Sequence, residues 1–231
     1  MQNPPAIVPP TTESILTYTL PSGKEIYISE QPSVLVSYGT TGLRTWEASL
    51  LATEWLLQGD VQRKSVLELG AGTGLAGILA AKRGAYVTAT DGSDTVVTKL
   101  RENYHRNGVW AETRVLRWGE QDEILERKWD LVIGADVTYD RDVCLDLAKT
   151  YGLALRNGGV GIVAATVRNE DTLEAFVREC GMKRLLCTPL TIESQNLDIT
   201  MIPGWDCMKG VFFCSSALSM RLFRIIARQV H

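Results

Sequence analysis

The sequence predicts an α/β fold built on a mostly parallel β-sheet with helices on both faces. Two observations carry this prediction. From residue 66 onward, short apolar segments of strand character alternate with helical segments, and a glycine-rich turn directly follows the first of these strands. Strands that are apolar almost without interruption are typical of a parallel sheet that is buried on both sides. The 231 residues are enough for one such domain with its own core.

The first part of the chain predicts a short β-hairpin ahead of this domain. Residues 1–13 are rich in proline and threonine and are expected to be loose. Segments 15–20 and 25–29 have strand character, and Pro21–Lys24 between them supplies turn residues. We therefore expect an N-terminal extension with a hairpin over residues 1–38.

The main domain is expected over residues 39–231 and begins with a turn and a helix. Gly39–Gly42 is a turn flanked by glycines, and residues 46–57 follow it with helical spacing. The face that this helix turns toward the core would consist of Trp46, Leu50, Thr53 and Leu57.

Seven further strands and four helices are predicted along the rest of the chain. The strands are expected at residues 66–69, 87–91, 113–118, 131–135, 160–167, 185–191 and 220–230. The helices are expected at residues 75–83, 94–107, 144–155 and 173–180. No helix is indicated between the last two strands, which favours a closing antiparallel hairpin. Together these elements predict a Rossmann-like, seven-stranded sheet.

Composition argues against several classes of function. The net charge of −3 gives no basic face, so we expect no nucleic-acid partner. No apolar run approaches the roughly 20 residues of a membrane span, and the first residues lack the pattern of a signal peptide. Five cysteines without a C-x-x-C spacing, and two histidines, favour free thiols over a metal site. We expect a cytoplasmic, monomeric protein without a metal.

The run Glu68–Gly74 is the most informative stretch of the sequence. Glycine suits a turn of this kind because it takes positive φ freely and lets the backbone approach a ligand. The carboxylate of Glu68 would repel a pyrophosphate, and it would suit a cofactor with positive charge, such as S-adenosyl-L-methionine. We expect Glu68, Gly70, Ala71 and Gly72 to contact such a cofactor.

Asp91 and Trp118 are expected to complete the cofactor pocket from the next two strand ends. Asp91 lies 21 residues after Gly70, at the distance where an acid reaches the ribose hydroxyls of a nucleoside. Position 75 is leucine, so the dinucleotide pattern G-x-G-x-x-G counted from Gly70 fails. Trp118 could be an ordinary core residue, but its place beside the pocket favours a contact with the adenine.

Asp136 and Tyr139 directly follow the fourth strand of the sheet and are the candidate catalytic residues. A lysine amine must be neutral to attack a methyl group, although its free pKa is about 10.4. A desolvated pocket lowers that pKa, and a carboxylate beside an aromatic ring can orient the amine. The alternative is that Asp136 only caps a helix and Tyr139 only packs.

Four segments resemble known methyltransferases. Glu68–Gly74 resembles the cofactor loop of the class I, seven-strand methyltransferases, and Asp136–Tyr139 resembles the D-x-x-Y motif of the family 16 protein-lysine methyltransferases. Gly39–Ala48 and Ala165–Asn169 resemble the branch that methylates a lysine of eukaryotic translation elongation factor 2.

The resemblance implies a protein-lysine N-methyltransferase that converts S-adenosyl-L-methionine to S-adenosyl-L-homocysteine, with elongation factor 2 as its protein partner. Asp136 and Tyr139 would face the target lysine, and Thr166, Arg168 and Asn169 would line its channel or the substrate surface. The residues implied to contact the cofactor are Trp46, Glu68, Gly70, Gly72, Asp91, Trp118 and Ala135.

Several alternatives stay open at this point. A methyltransferase that acts on another protein or on a small molecule would share the whole cofactor half of the pocket. A dehydrogenase would bind a nicotinamide dinucleotide instead. A non-catalytic nucleotide-binding or chaperone-like module would keep the fold and lose the pocket, and the presence of Glu68, Asp91 and Asp136 argues against it.

Overall fold

The computed structural model describes residues 13–31, 41–190, 198–201 and 220–228. In chain order its elements are β1 (Ser14–Thr19), β2 (Glu25–Glu30), α1 (Glu47–Gln58), β3 (Ser65–Leu69), α2 (Leu75–Lys82), β4 (Tyr86–Asp91), α3 (Asp94–Arg106), β5 (Glu112–Val115), α4 (Glu123–Glu126), β6 (Trp129–Ala135), α5 (Arg141–Ala154), β7 (Leu155–Thr166), α6 (Glu170–Met182), β8 (Leu185–Leu190), β9 (Asp198–Met201) and β10 (Met220–Ala227).

The main sheet has seven strands in the order β5-β4-β3-β6-β7-β10-β8. The first five of these pair in parallel, and β10 lies between β7 and β8, antiparallel to both. This confirms the predicted fold class, including the closing antiparallel strands. The strand order reverses direction between β3 and β6, and ligands bind at such a switch point in open α/β sheets.

Apolar side chains on both faces of the sheet explain why helices cover it on both sides. In β6, Leu131 and Ile133 belong to the apolar cluster that includes Leu79 of α2. The intervening residue Val132 belongs to a second cluster with Phe176 of α6. Successive side chains of a strand point to opposite faces of the sheet. A strand that is apolar throughout therefore needs helices packed on both faces.

The N-terminal hairpin is larger than the sequence predicts. Strands β1 and β2 pair as expected, and β9 adds a third, antiparallel strand on the other edge of β1. Strand β9 was not predicted, and it lies between the two closing strands in sequence but pairs with the first strand of the chain.

Helix α1 buries a different face from the predicted one. Its buried residues are Ala48, Ala52, Thr53 and Leu56, while Leu50 and Leu57 are only partly buried. Small alanine side chains let α1 approach its neighbours closely, and this outweighs the larger residues that suggested the other face. Trp46 is the N-cap residue of α1, so it precedes the helix.

Several other element boundaries also differ from the predictions. Strand β5 ends at Val115, so Trp118 lies in the loop after it and does not end the strand. Helices α5 and α6 begin earlier than expected because side chains cap them ahead of their apolar residues. Asp140 accepts a hydrogen bond from the N–H of Asp142, and Asn169 accepts one from the N–H of Asp171.

Some predictions fall outside the described residues. They concern the loose segment 1–12, Gly39 and Thr40 of the predicted turn, Thr191, residues 229–230, Cys207 and Cys214, and the boundary between residues 38 and 39. Within the described ranges, Cys144, Cys180 and Cys187 are free thiols. None of the helices described there is both long and apolar enough to cross a bilayer.

Asn103 of α3 ties the hairpin to the glycine-rich turn. Its Oδ1 accepts the backbone N–H of Ser29 at 2.8 Å, and its Nδ2 donates to the carbonyl of Ser29 at 3.1 Å. The same Nδ2 donates to the carbonyl of Thr73 at 3.0 Å. Asn103 is completely buried, so water could not take over as the hydrogen-bond partner of these backbone groups.

We expect the substitution Asn103→Ala to lower the free energy of unfolding by about 3 kcal/mol, because buried backbone groups would lose their partner. Urea denaturation followed by circular dichroism measures this loss. His105→Ala on the exposed face of the same helix is the control and should change stability by less than about 0.5 kcal/mol. Equal, small effects of both substitutions would show that Asn103 does not hold the hairpin in place.

Candidate active site

The glycine-rich turn connects β3 to α2 through backbone conformations that only glycine adopts readily. Gly72 has a φ of 54°, and a Cβ atom there would lie 3.2 Å from the carbonyl oxygen of Gly42. Gly74 has a φ of 86°, and a Cβ atom there would lie 2.4 Å from Leu100. The turn therefore passes close to its neighbours with a bare backbone.

A cavity of about 660 Å³ opens beside this turn, at the carboxyl ends of the central strands. That volume is in the range of pockets for small organic ligands. Its wall contains all but one of the predicted site residues, namely Trp46, Gly70, Ala71, Gly72, Asp91, Trp118, Ala135, Asp136 and Tyr139. The structure thus brings together residues that are almost 100 positions apart in the sequence.

Glu68 is the predicted residue that does not line the cavity. Its side chain is only 2% exposed and lies beneath the turn, where its Oε2 would be 2.2 Å from a Cβ atom on Gly77. The hydroxyl of Tyr104 approaches the same position to 2.1 Å. The expectation that Glu68 faces a cationic ligand is therefore corrected. A β-strand side chain points to one face of the sheet, and that of Glu68 points into the core.

Burial dominates the chemistry of Glu68. It raises the pKa of this carboxyl to about 8, the backbone N–H of Gly77 opposes the rise, and the negative charge of Asp91 adds to it. The carboxyl therefore holds its proton at neutral pH. The Oε2 atom of Glu68 has no hydrogen-bond partner among the described residues, and the buried neutral acid places no charge in the cavity.

Asp91, at the end of β4, places its carboxyl group at the cavity wall beside the glycine turn. Its Oδ2 accepts the N–H of Gly72 at 3.2 Å, and its Oδ1 accepts the N–H of Ser93 at 3.2 Å. Burial raises the pKa of Asp91, and backbone N–H groups oppose that rise. A carboxylate offers about four acceptor sites, so Asp91 can still accept bonds from hydroxyl groups of a ligand.

Trp46 lies at the cavity wall among cationic side chains. Its Nε1 donates to the carbonyl of Thr41 at 3.0 Å, which fixes the ring. The guanidinium carbons of Arg44 and Arg168 lie 4.8 Å and 5.2 Å from the ring centroid. Both distances are in the range of cation–π contacts.

Asp136 is held tightly at the end of β6. Its backbone is left-handed, with a φ of 59°, and its N–H donates to the carbonyl of Ala164 at 2.8 Å. Arg168 donates to both carboxylate oxygens, from Nη1 to Oδ1 at 2.8 Å and from Nη2 to Oδ2 at 2.7 Å. The N–H of Thr166 adds a 3.3 Å bond to Oδ1.

Tyr139 stands at the mouth of the cavity and is 59% exposed. Partial burial raises the pKa of its hydroxyl, and the negative charges of Asp91 and Asp140 add to this rise. The phenol is therefore protonated at neutral pH and can both donate and accept a hydrogen bond.

The three residues expected at the end of β7 lie in different places. Arg168 lines the cavity, whereas Thr166 and Asn169 are not among the residues of its wall. The side chain of Asn169 caps α6 and the N–H of Thr166 donates to Asp136, and a place in the lysine channel or at the substrate surface stays a prediction for all three.

Sequence reasoning missed three charged residues of the wall, namely Arg44, Arg117 and Asp146. Asp146 could have been found, since α5 begins just after the end of β6 and its first turns lie near the same sheet edge. Across the described residues, no group of three or more His, Cys, Asp and Glu side chains is arranged to hold a metal ion.

Comparison with known proteins decides the family. A family model described as lysine methyltransferase matches residues 28–180, which is well over half of the chain. The chain belongs to the lysine methyltransferase family. The matched region contains the glycine-rich turn and every residue of the cavity wall named above.

Named relatives of this chain come from fungi and animals. It is 41% identical to protein-lysine N-methyltransferase EFM3 of Chaetomium thermophilum over 71% of this chain, and the match spans 54% of that relative. It is 33% identical to EFM3 of Saccharomyces cerevisiae over 94% of this chain and 70% of that relative. It is 32% identical to protein-lysine N-methyltransferase EEF2KMT of Mus musculus over 73% of this chain and 57% of that relative.

Solved structures support the fold of this chain. The 16S rRNA N2 G1207 methyltransferase RsmC of Thermus thermophilus, in complex with AdoMet and guanosine, superimposes with a TM-score of 0.64 at 18% identity. That match covers 96% of this chain and 53% of RsmC. At this identity the likeness shows a shared fold.

The raised pKa of Glu68 predicts a specific dependence of stability on pH. Between about pH 4.5 and pH 8 the folded protein keeps the proton of Glu68, while the unfolded chain releases it. The free energy of unfolding of the wild type, relative to Glu68→Gln, should therefore fall with rising pH by at most about 1.4 kcal/mol per pH unit. Chemical denaturation of both proteins at several pH values measures the difference. Parallel curves would mean that Glu68 is ionised in the folded protein.

Proposed function

We propose that this chain is a protein-lysine N-methyltransferase that uses S-adenosyl-L-methionine and acts on translation elongation factor 2. The observation that carries the proposal is the single cavity in which the glycine turn and Asp91 stand close to Asp136 and Tyr139. The residues that would bind the cofactor (the cofactor half) and those that would bind the acceptor lysine (the acceptor half) thus line the same cavity. Membership of the lysine methyltransferase family supports the same reading.

The residues of the cavity suit this cofactor. Asp91 can accept hydrogen bonds from ribose hydroxyls, and Leu116 and Trp118 offer apolar surface for an adenine ring. The glycine turn leaves room for the backbone to approach the ligand, since no side chain projects from Gly70 or Gly72. When bound, S-adenosyl-L-methionine supplies an electrophilic methyl group carried on a sulfonium. S-adenosyl-L-homocysteine would be the product.

The acceptor half suits an amine. Asp136 can accept an N–H from a lysine, and the ring of Tyr139 offers an apolar and aromatic wall at the cavity mouth. Holding the amine in line with the methyl group provides much of the rate without a dedicated base. The exposure of Tyr139 supports entry of a side chain from another protein beside Asp136.

Two observations favour elongation factor 2 as the protein substrate. Segments Gly39–Ala48 and Ala165–Asn169 resemble the branch that methylates this factor, and the second segment contains Arg168 of the cavity wall. A relative at 32% identity bears the name EEF2KMT. Action on that substrate implies a cytoplasmic enzyme, and we propose that it works as a monomer. A different protein substrate is the alternative.

The substitution Gly72→Ala tests the cofactor half. A methyl group at this left-handed position would press on the carbonyl of Gly42, so the turn must move. We expect the affinity for S-adenosyl-L-homocysteine, measured by isothermal titration calorimetry, to fall at least about tenfold. Gly152→Ala on the exposed side of α5 is the control, because a Cβ atom there meets nothing within 4 Å. Wild-type affinity in both variants would show that the turn does not contact the cofactor.

Methylation of purified elongation factor 2, followed by mass spectrometry, tests the acceptor half and the substrate. The wild type should add methyl groups to a lysine, and Asp136→Ala should abolish transfer while changing cofactor affinity by less than about threefold. Asp142→Ala, an exposed carboxylate on the first turn of α5, should retain activity. Transfer to another protein and not to elongation factor 2 would overturn the substrate, and full activity of Asp136→Ala would overturn the role of this residue.

A further inference from the structure

The carboxylate of Asp136 already has a cationic partner in this structure. Its side chain is 7% exposed and makes a two-fold hydrogen bond with the guanidinium of Arg168, whose own side chain is 39% exposed. Fork-to-fork pairs of this kind are the strongest and best-aligned ion pairs of arginine. Any amine that reaches Asp136 therefore meets a carboxylate whose charge is largely neutralised.

One acceptor site of Asp136 stays available in this arrangement. Of about four sites on a carboxylate, Oδ1 uses two for the N–H of Thr166 and Nη1 of Arg168, and Oδ2 uses one for Nη2 of Arg168. Within the described part of the chain, Oδ2 thus retains a site for the N–H of an incoming amine.

The other charges of the cavity wall balance one another. Apart from the Asp136–Arg168 pair, the titratable and charged side chains that face the cavity are Arg44, Asp91, Arg117, Tyr139 and Asp146. With the tyrosine neutral, two cations face two anions. Outside the wall, Glu47 lies 3.5 Å from Arg44 and also interacts with Arg168, Glu30 interacts with Arg44, and Asp140 interacts with Tyr139. Removal of the Arg168 charge would leave the wall with one excess negative charge, centred on Asp136.

We propose that Arg168 is a positioning residue that lets Asp136 orient the acceptor amine without stabilising its protonated form. This inference rests on the proposed function, because it concerns the lysine that enters beside Asp136. An unpaired carboxylate would favour the ammonium, which has no lone pair for attack on a methyl group. The paired carboxylate keeps its acceptor oxygen in place and loses most of its pull on a proton.

The surroundings of Arg168 hold the guanidinium where this role needs it. The ring of Trp46 lies 5.2 Å from the guanidinium carbon, and that ring is itself fixed by a hydrogen bond to Thr41. Asp136 cannot turn away easily, because its backbone N–H and its carboxylate are both bonded to the end of β7. The pair therefore lies at a fixed point of the wall.

The test compares Arg168→Met with Arg168→Lys. Methionine keeps an unbranched stem without charge, while lysine keeps the charge and loses the fork. We expect the acidic limb of the pH profile of kcat, measured with saturating elongation factor 2 so that it reports the bound lysine, to move up by about one pH unit in Arg168→Met. In Arg168→Lys the limb should stay within about 0.3 pH units of the wild type, even if the rate falls.

Proton release gives a second readout that does not depend on turnover. Binding of unmethylated elongation factor 2 to the protein loaded with S-adenosyl-L-homocysteine is measured calorimetrically at about pH 8, in two buffers of different ionisation enthalpy. The wild type and Arg168→Lys should release close to one proton per complex, because the lysine binds as a neutral amine, and Arg168→Met should release clearly less.

Two outcomes would overturn the inference while leaving the proposed function intact. If the acidic limb of Arg168→Met does not shift and the rate is lower at every pH, Arg168 is a structural residue. If the limb does not shift and the rate is higher, Arg168 competes with lysine for Asp136. Absence of methyl transfer by the wild type to any protein would instead contradict the proposed function itself.

Discussion

The left-handed glycine turn after β3 is the constraint on which the rest of the site depends. Gly72 must pass close to the carbonyl of Gly42, and its N–H bonds to Asp91. The carbonyl of Thr73 is held by Asn103, which also holds the hairpin. Through these contacts the turn connects β4, α3 and the N-terminal strands. The cavity exists because the chain crosses the end of the sheet here without side chains that would fill it.

Three acids near this turn have different environments, and those environments set their chemistry. Glu68 is sealed below the turn and keeps its proton at neutral pH. Asp91 faces the cavity with backbone N–H partners and has acceptor sites to spare. Asp136 is paired with Arg168. One acid thus stays buried and neutral beneath the turn, one suits the hydroxyls of a cofactor, and one suits the acceptor, although all three are carboxyl side chains near the ends of neighbouring strands.

The sequence predicts the sheet and most of the cavity wall because both follow from local patterns. Alternating apolar strands and helices define the order of elements, and strand ends in a parallel sheet share one edge, which brings Asp91 and Asp136 together. The orientation of Glu68 does not follow from its position before the turn, since it depends on which face of β3 packs on α2. The ion pair of Asp136 with Arg168 could not be predicted either, because the sequence pattern does not show how the residues that follow β6 and β7 are placed relative to each other. Strand β9 was missed because its only sheet partner, in the part of the chain that the structure describes, lies at the start of the chain.

We expect one cavity to hold the cofactor at Asp91 and to present its methyl group toward Asp136. A crystal structure of this chain with S-adenosyl-L-homocysteine bound tests this arrangement most directly. Ribose hydroxyls should lie within hydrogen-bond distance of the Asp91 carboxylate, the ligand sulfur should be directed toward the Asp136–Arg168 pair, and the ligand should make no direct contact with Glu68. A ligand amino group bonded directly to Glu68, or a ligand bound outside this cavity, would contradict it.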